Sequence, residues 1–408
     1  MPIDAEPAAP AQKTILFVGH DAYRAGAQVA LLHLVKWMCS HNELRIVLLL
    51  KHGGELLADY QALVPTYVLS DESSVAGARS RFKAAFRHGL LRSQSHPPGL
   101  DALSKLRVDV LYVNSVASLD ILPDLVARWH CPVVCHVHEL EFGIQRVLQP
   151  GVLAAAQRHI DAFVAVSDAV KDNLCTNHHV ETSRVYRIYE AIGTAWYPSP
   201  QDKEESTRVR CDLGLPPDAF VVGGCGTTDW RKAPDIYIQV ARLLARTRPD
   251  LIAHFVWVGG QTSGAEAAAL RYDLERLNLR SRVHFVGAQA NPKPYFLLFD
   301  VFLLTSREDP FPLVCLEAAA LGIPIVCFQG AGGIPEFVSG DAGVVVPYLD
   351  VEAAATSIAR LVDRPELRTH LGRRGAEKVK SSHEIEITGR KILTLIDRLM
   401  QRVGERSS

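Results

Sequence analysis

Short, branched apolar runs alternate along this chain with longer stretches of helical period. Thr14–Val18, Arg45–Leu50, Thr66–Leu69, Val108–Val113, Pro132–Val137 and Phe163–Ser167 have the length and composition of buried strands. Helical patterns such as Val29–Cys39 and Asp168–Leu174 lie between them, and Ser167 is placed to cap the second. A polar, proline-bearing stretch, Tyr197–Ser206, interrupts the series and reads as a linker. The alternation then restarts with Val221–Cys225, Asp235–Arg246, Ala253–Val258, Glu266–Leu277, Val283–Val286 and Pro294–Phe299. Two βα series of similar size predict an α/β protein with two doubly wound, Rossmann-like domains facing a cleft. The expected boundaries are a disordered tail at 1–13, a first domain at 14–197, a linker at 198–206, a second domain at 207–384 and a closing helical segment at 385–408.

One stretch of the second series carries more chemistry than the rest. In Asp300–Ile325 a short apolar strand pattern, Val301–Leu304, is followed by a polar turn, Thr305–Pro310, and by a helical pattern that opens at Pro312 and stops at Gly322. A strand–turn–helix of this kind puts ligand groups at the carboxyl end of a sheet. Glu308, Asp309 and Glu317 are its acids, and the free amides of Leu313 and Val314 at the helix start would favour a phosphate. The same acids could simply complement the helix dipole. Three further positions stand out. Gly26, just before the first helix, permits a close backbone approach, or only a tight turn. Gly224-x-Gly226 approaches a dinucleotide fingerprint, but Asp229 stands where its third glycine belongs. His136 and His138 share one strand face, with His138 at the strand end beside Glu139, and no third histidine follows at a spacing that would complete a metal site.

Composition narrows the field. The chain has 408 residues, 48% hydrophobic and 22% charged, with a formal net charge of −1, so no overall field directs it to nucleic acid. Its eight cysteines form no C-x-x-C pair and read as reduced core residues. The start, rich in alanine and proline, lacks the pattern of a signal peptide, and no apolar run approaches the ~18 residues of a membrane span. A cytoplasmic protein is expected. One segment, Ser73–Pro98, carries five cations and no acid, with Phe82, Phe86 and Leu90 four apart. It reads as a basic amphipathic helix for an anionic bilayer or a phosphorylated acceptor, or as a solvated helix packed on its domain.

These motifs, taken in order, resemble retaining glycosyltransferases of family 4, which have the GT-B fold. Asp309-x-Phe311-x5-Glu317-Ala318 is similar to that family's pair of acids with seven residues between them, with Asp309 for the first glutamate and Pro312 where glycine is usual. The resemblance extends to Gly26-Ala27, the histidine followed by an acid at His138, the AVSDAV segment, Lys232, Val286-Gly287 and Gly332-Gly333-Ile334-Pro335-Glu336. It implies that Asp309 meets the donor sugar, Glu317 the ribose and Lys232 the diphosphate. Arg231 substitutes for an arginine that Thr227 has replaced. His138 stands on the acceptor side, while Gly26, Gly287, Phe311, Leu313 and Val314 contribute to donor binding. It also implies that the last helix crosses back onto the first domain. No metal or cofactor is expected, and no Asp-x-Asp pair occurs in the chain. The implied activity is transfer of a hexosyl or deoxyhexosyl group from a nucleoside diphosphate sugar to a glycan or glycolipid acceptor, in bacterial surface polysaccharide synthesis. A GT-B nucleotide-sugar epimerase, a phosphorylase or a non-catalytic binding homologue are the alternatives.

Overall fold

The structure, a computed structural model, describes residues 12–41, 44–69, 100 and 103–407. The basic segment Ser73–Pro98 and nearly all of the expected tail lie outside them. Two parallel sheets organise the described chain. The first has seven strands in the order β3-β2-β1-β4-β5-β6-β7, where β1 is Lys13–Gly19, β2 Leu44–Leu50, β3 Thr66–Val68, β4 Val110–Asn114, β5 Val133–Val137, β6 Ala162–Ala165 and β7 Val185–Arg187. The second has six, ordered β10-β9-β8-β11-β12-β13, with β8 Phe220–Cys225, β9 Ala253–Val258, β10 Val283–Gly287, β11 Val301–Leu304, β12 Ile325–Phe328 and β13 Gly343–Val346. The two Rossmann-like domains read from the alternation are present as a GT-B fold.

Each sheet reverses its winding beside its first strand, β1 lying between β2 and β4 and β8 between β9 and β11. A doubly wound sheet opens a crevice at this point, because the connections leave on opposite faces and no helix covers the strand ends. The apolar runs are central strands with both faces packed: Ile15 to Val18 in β1 and Val110 to Val113 in β4 are wholly buried. In β8 the glycines have a packing function. A Cβ on Gly223 would lie 2.0 Å from the Phe299 ring, and one on Gly224 would lie 2.8 Å from Trp257 and Tyr237. Of the partial dinucleotide fingerprint, Gly224 is thus a packing residue, while Gly226, at φ +148°, lies against the Lys232 side chain.

The expected linker is largely helical. Pro200–Asp212 forms a helix capped by Ser199 and Asp202 in a reciprocal box, with Pro200 in its first turn. Asp202 also pairs with Lys293 at 2.9 Å, which ties this helix to the second domain. Proline and serine read as linker residues here are helix-start residues. The last helix, Ile385–Ser407, lies on the helix Gly26–Cys39, and its Ile392, Leu395, Ile396 and Leu399 join the core of Ile15, Phe17, Leu31 and Trp37. No described helix is long and apolar enough to cross a membrane.

Candidate active site

The loops that follow β8 and β11 are stitched together by their backbones. Arg307 N–H donates to the Arg231 carbonyl at 2.8 Å, and the Thr305 hydroxyl donates to the Lys232 carbonyl at 3.0 Å. Arg307 also holds Asp235 through two hydrogen bonds of 3.0 and 2.7 Å. This stitching brings Lys232 Nζ to 2.5 Å from Asp309 Oδ2, with Ser306 Oγ at 3.0 Å and Arg231 at 3.6 Å from the other oxygen. Asp309 is only 5% exposed. Burial alone would raise its pKa, but the Lys232 and Arg231 charges and the hydrogen bonds from Lys232 and Ser306 outweigh it and hold the carboxyl below its usual range. Asp309 is further fixed by its backbone, since its N–H donates to the Ala331 carbonyl at 2.6 Å. Gly332, at φ +135°, passes so close that a Cβ there would sit 1.8 Å from the Asp309 carbonyl oxygen. Gly332 thus serves Asp309 by letting two backbones meet.

The helix Leu313–Ala320 starts after Pro312, which is extended (φ −68°, ψ 121°) and gives no side-chain cap. The first amides, at Leu313 and Val314, therefore keep their donors for a ligand. One turn on, Glu317 is 9% exposed and has no hydrogen-bond partner among the described residues. Burial pushes its pKa up to about 8. A carboxyl in this condition gains from a hydroxyl that supplies the missing hydrogen bond. Gly287 is left-handed at φ +73°, and its carbonyl accepts from Gly259 N–H at 2.8 Å. Gly26 opens its helix with no atom within 4 Å of where a Cβ would be. Phe311 is buried, stacking on Tyr189 at 5.0 Å and on His383 at 5.5 Å, so its ring packs the two domains together.

On the first domain, His138 follows β5 and lies in a closed setting, its side chain 5% exposed. Its Nδ1 is 2.6 Å from Glu190 Oε1, and its Nε2 is 2.9 Å from Asn114 Oδ1. Burial works against the charged ring, but Glu190, by charge and hydrogen bond, and Glu139 outweigh it and raise the His138 pKa. Its neighbour His136 bonds Tyr112 through Nδ1, and burial drives its pKa well down. At the Gly26 loop, Gln28 Nε2 bonds Asp21 at 2.5 Å and His20 at 2.9 Å. Glu190 gave no signal in the sequence. It lies beyond β7 and reaches His138 only through the fold.

Two carboxylates of the second domain cross to the first. Glu308 accepts from Phe142 and Gly143 N–H, both at 2.9 Å, at the start of the helix Glu141–Val147. Glu336 accepts from Asp168 and Ala169 N–H, also both at 2.9 Å, at the start of the helix Asp168–Thr176. Glu308 does not pair with the adjacent Arg307, which holds Asp235, and Glu336 does not cap its own short helix, Ile334–Val338. Both instead cap helices of the opposite domain, where orphan amides and the helix dipole favour an anion. Phe142 and Trp230, with ring centroids 4.9 Å apart, add an apolar contact across the cleft. Among the described residues, His136, His138 and Glu190 form a cluster that could hold a metal ion, with ligand atoms all within 4.8 Å of one another.

Comparison with known proteins agrees with this division into two halves. Residues 25–196 match the model of Glycosyltransferase Family 4, and residues 206–378 match that of Glycosyl transferases group 1. The chain is a relative of the GT-B glycosyltransferases. It is 31% identical over 265 residues to a D-inositol 3-phosphate glycosyltransferase of Saccharomonospora viridis, 61% of each chain, so the match spans about three fifths of that relative. It is 28% identical over 251 residues to the lipopolysaccharide core biosynthesis mannosyltransferase LpsB of Rhizobium meliloti, covering 60% of this chain and 67% of that one. The fold of this glycosyltransferase relative matches Anabaena Alr3699/HepE in complex with UDP-glucose with a TM-score of 0.75 at 19% identity, over 95% of this chain and 100% of the other.

Proposed function

We propose that the chain is a retaining, metal-independent glycosyltransferase. It would move a hexosyl or deoxyhexosyl group from a nucleoside diphosphate sugar to a glycan or lipid-linked saccharide, in the synthesis of a bacterial surface polysaccharide. The observation that carries this reading is the Lys232–Asp309 pair, at 2.5 Å, beside the uncapped start of the helix Leu313–Ala320. A departing nucleoside diphosphate gathers negative charge, and fixed cations and amide dipoles stabilise such charge without reorganising. Lys232, Arg231 and the amides of Leu313 and Val314 supply these groups. Asp309, ionised and anchored, orients a sugar hydroxyl, and Glu317 binds a ribose hydroxyl. The Glu308 and Glu336 caps hold the domains closed over the reacting centre, which excludes water that would otherwise hydrolyse the donor.

Names of similar proteins support the substrate class: HepE is described with UDP-glucose, and LpsB is a mannosyltransferase of lipopolysaccharide core. Catalysis at the inner membrane face, with Ser73–Pro98 resting on anionic lipid, completes the proposal. Thermal-shift screening against UDP-, GDP- and dTDP-sugars identifies the donor, because a ligand that binds only the native state raises its melting temperature. Transfer is then assayed with and without EDTA. Activity lost on chelation and restored by a divalent ion would overturn metal independence, and epimerised sugar formed without acceptor would overturn transfer.

A further inference from the structure

The two histidines on one face of β5 meet a carboxylate that no local spacing announces. One ligand atom each from His136, His138 and Glu190 lie within 4.8 Å of one another. All three residues are enclosed: His136 is 4% exposed, and the side chains of His138 and Glu190 are 5% and 8% exposed. A third histidine is absent from the sequence pattern, but the oxygen of a residue 52 positions beyond His138 takes its place.

Hydrogen bonds to the surroundings leave one nitrogen of each ring for this centre. His138 Nε2 is taken by Asn114 Oδ1 at 2.9 Å, which leaves Nδ1 toward Glu190. His136 Nδ1 is taken by the Tyr112 hydroxyl at 2.9 Å, and its Nε2 is buried without a partner among the described residues. A buried polar atom with no partner is costly, and a bound ion would remove that cost. Histidines that ligate a metal commonly hold their second ring nitrogen on an outer partner, the part that Asn114 and Tyr112 play here. Another close histidine pair, His254 and His284 at 3.2 Å, belongs to no such three-residue cluster among the described residues.

Two imidazoles and a carboxylate suit Zn2+, whereas Mg2+ and Ca2+ prefer oxygen alone. A second carboxylate, Glu139, lies beside His138 with its oxygens on Ser115 and on the Val116 and His138 amides, and adds negative charge that a divalent ion offsets. Ligands about 2.1 Å from a tetrahedral ion stand roughly 3.4 Å apart. The 2.6 Å contact between His138 and Glu190 must therefore widen, which the carboxylate achieves by turning about its own side-chain bonds.

We propose that His136 Nε2, His138 Nδ1 and a Glu190 oxygen are the three protein ligands of a Zn2+ ion, and that this ion fastens the crossing between the domains to β5. Glu190 lies just before that crossing. Two residues on, Ile192 N–H donates to the His383 carbonyl at 3.0 Å and the Ile192 carbonyl accepts from Ile385 N–H at 3.1 Å, which joins the outgoing and returning chain. The ion is structural. Its ligands belong to the first domain, whereas Lys232, Arg231 and the Leu313 and Val314 amides belong to the second, so the inference does not rest on the transferase reading.

The full chain, made in zinc-supplemented medium without a histidine tag, tests this. Elemental analysis should find about one zinc per chain, and His136→Ala and Glu190→Gln should each lose nearly all of it. Wild type stripped by a chelator should melt about 5 °C lower and recover with Zn2+ but not with Mg2+. Tyr112→Phe, which removes only the outer hydrogen bond to His136, should weaken zinc binding about tenfold or more. This variant also serves as the test should the ligand variants not fold. A wild-type chain that takes up no zinc would overturn the proposal, as would recovery of the melting temperature with Mg2+ or unchanged affinity in Tyr112→Phe. A full equivalent of zinc retained by His136→Ala would overturn it too, because the ion would then lie elsewhere, as on His254 and His284. Metal content and melting are read without any sugar transfer, so failure of this proposal and failure of the transferase reading are distinguishable.

Discussion

At the scale of single residues, the site is defined by which charges are paired and which are not. Lys232 and Asp309 form a buried ion pair, and removing one partner leaves the other uncompensated, at a cost of about 3–5 kcal/mol. Lys232→Ala should therefore lower both the melting temperature and the turnover, the latter by roughly 100-fold or more. The double variant Lys232→Met, Asp309→Asn should regain most of the melting temperature and none of the turnover. Recovery of both would remove the pair from the chemistry. Glu317 is the opposite case, a buried carboxyl without a partner. Its pKa in the folded chain, about 8, lies above the ordinary 4.5, so the fold favours its protonated form. Stability from this group is complete below about pH 4.5 and declines as pH rises toward 8. Glu317→Gln should then stabilise the chain at pH 8, by on the order of 1–3 kcal/mol, and leave it unchanged at pH 4.5. Melting curves at the two pH values that shift equally would contradict the unpartnered carboxyl.

Elements set the two acids at 308 and 309 to different tasks. One residue along an extended turn reverses the side-chain direction, so Asp309 enters its own domain's cation cluster while Glu308 crosses to the helix at Glu141. Asp309→Asn should stop transfer, whereas Glu308→Gln should lower turnover by about tenfold, since a charged cap contributes about 1 kcal/mol. With Glu336→Gln added, both crossings are weakened. Solution scattering of this double variant, with nucleotide bound, should then show a larger radius of gyration than the wild type. An unchanged profile would mean that the carboxylates do not hold the domains closed. The same scale explains the linker. Ser199 and Pro200 were legible as chain breakers, but a breaker marks the start of a helix as often as a loop, and the Ser199–Asp202 box decided between them.

For the whole molecule, the return of Ile385–Ser407 makes the first domain depend on the far end of the chain. Four of its side chains, Ile392, Leu395, Ile396 and Leu399, are buried in the core of the first domain, each worth about 1.5–3 kcal/mol. A chain ended at Glu384 should lose the cooperative melting of the first domain, with Trp37 fluorescence shifted to the red. A truncated chain that melts like the full one would show that the domain closes without this helix.

The alternation of apolar runs and helical periods determined the two Rossmann-like domains by itself, because burial between helices demands continuous branched strands and this demand is local in sequence. The spacing of Asp309 and Glu317 likewise marked one strand–turn–helix as the place to look. Tertiary structure decided what those residues meet. Lys232 and Asp309 are 77 positions apart, His138 and Glu190 are 52 apart, and Glu336 meets Ala169 across 167. Charge pairing and burial depend on distance in space, and a linear pattern holds no record of which strand ends the sheet reversals bring together.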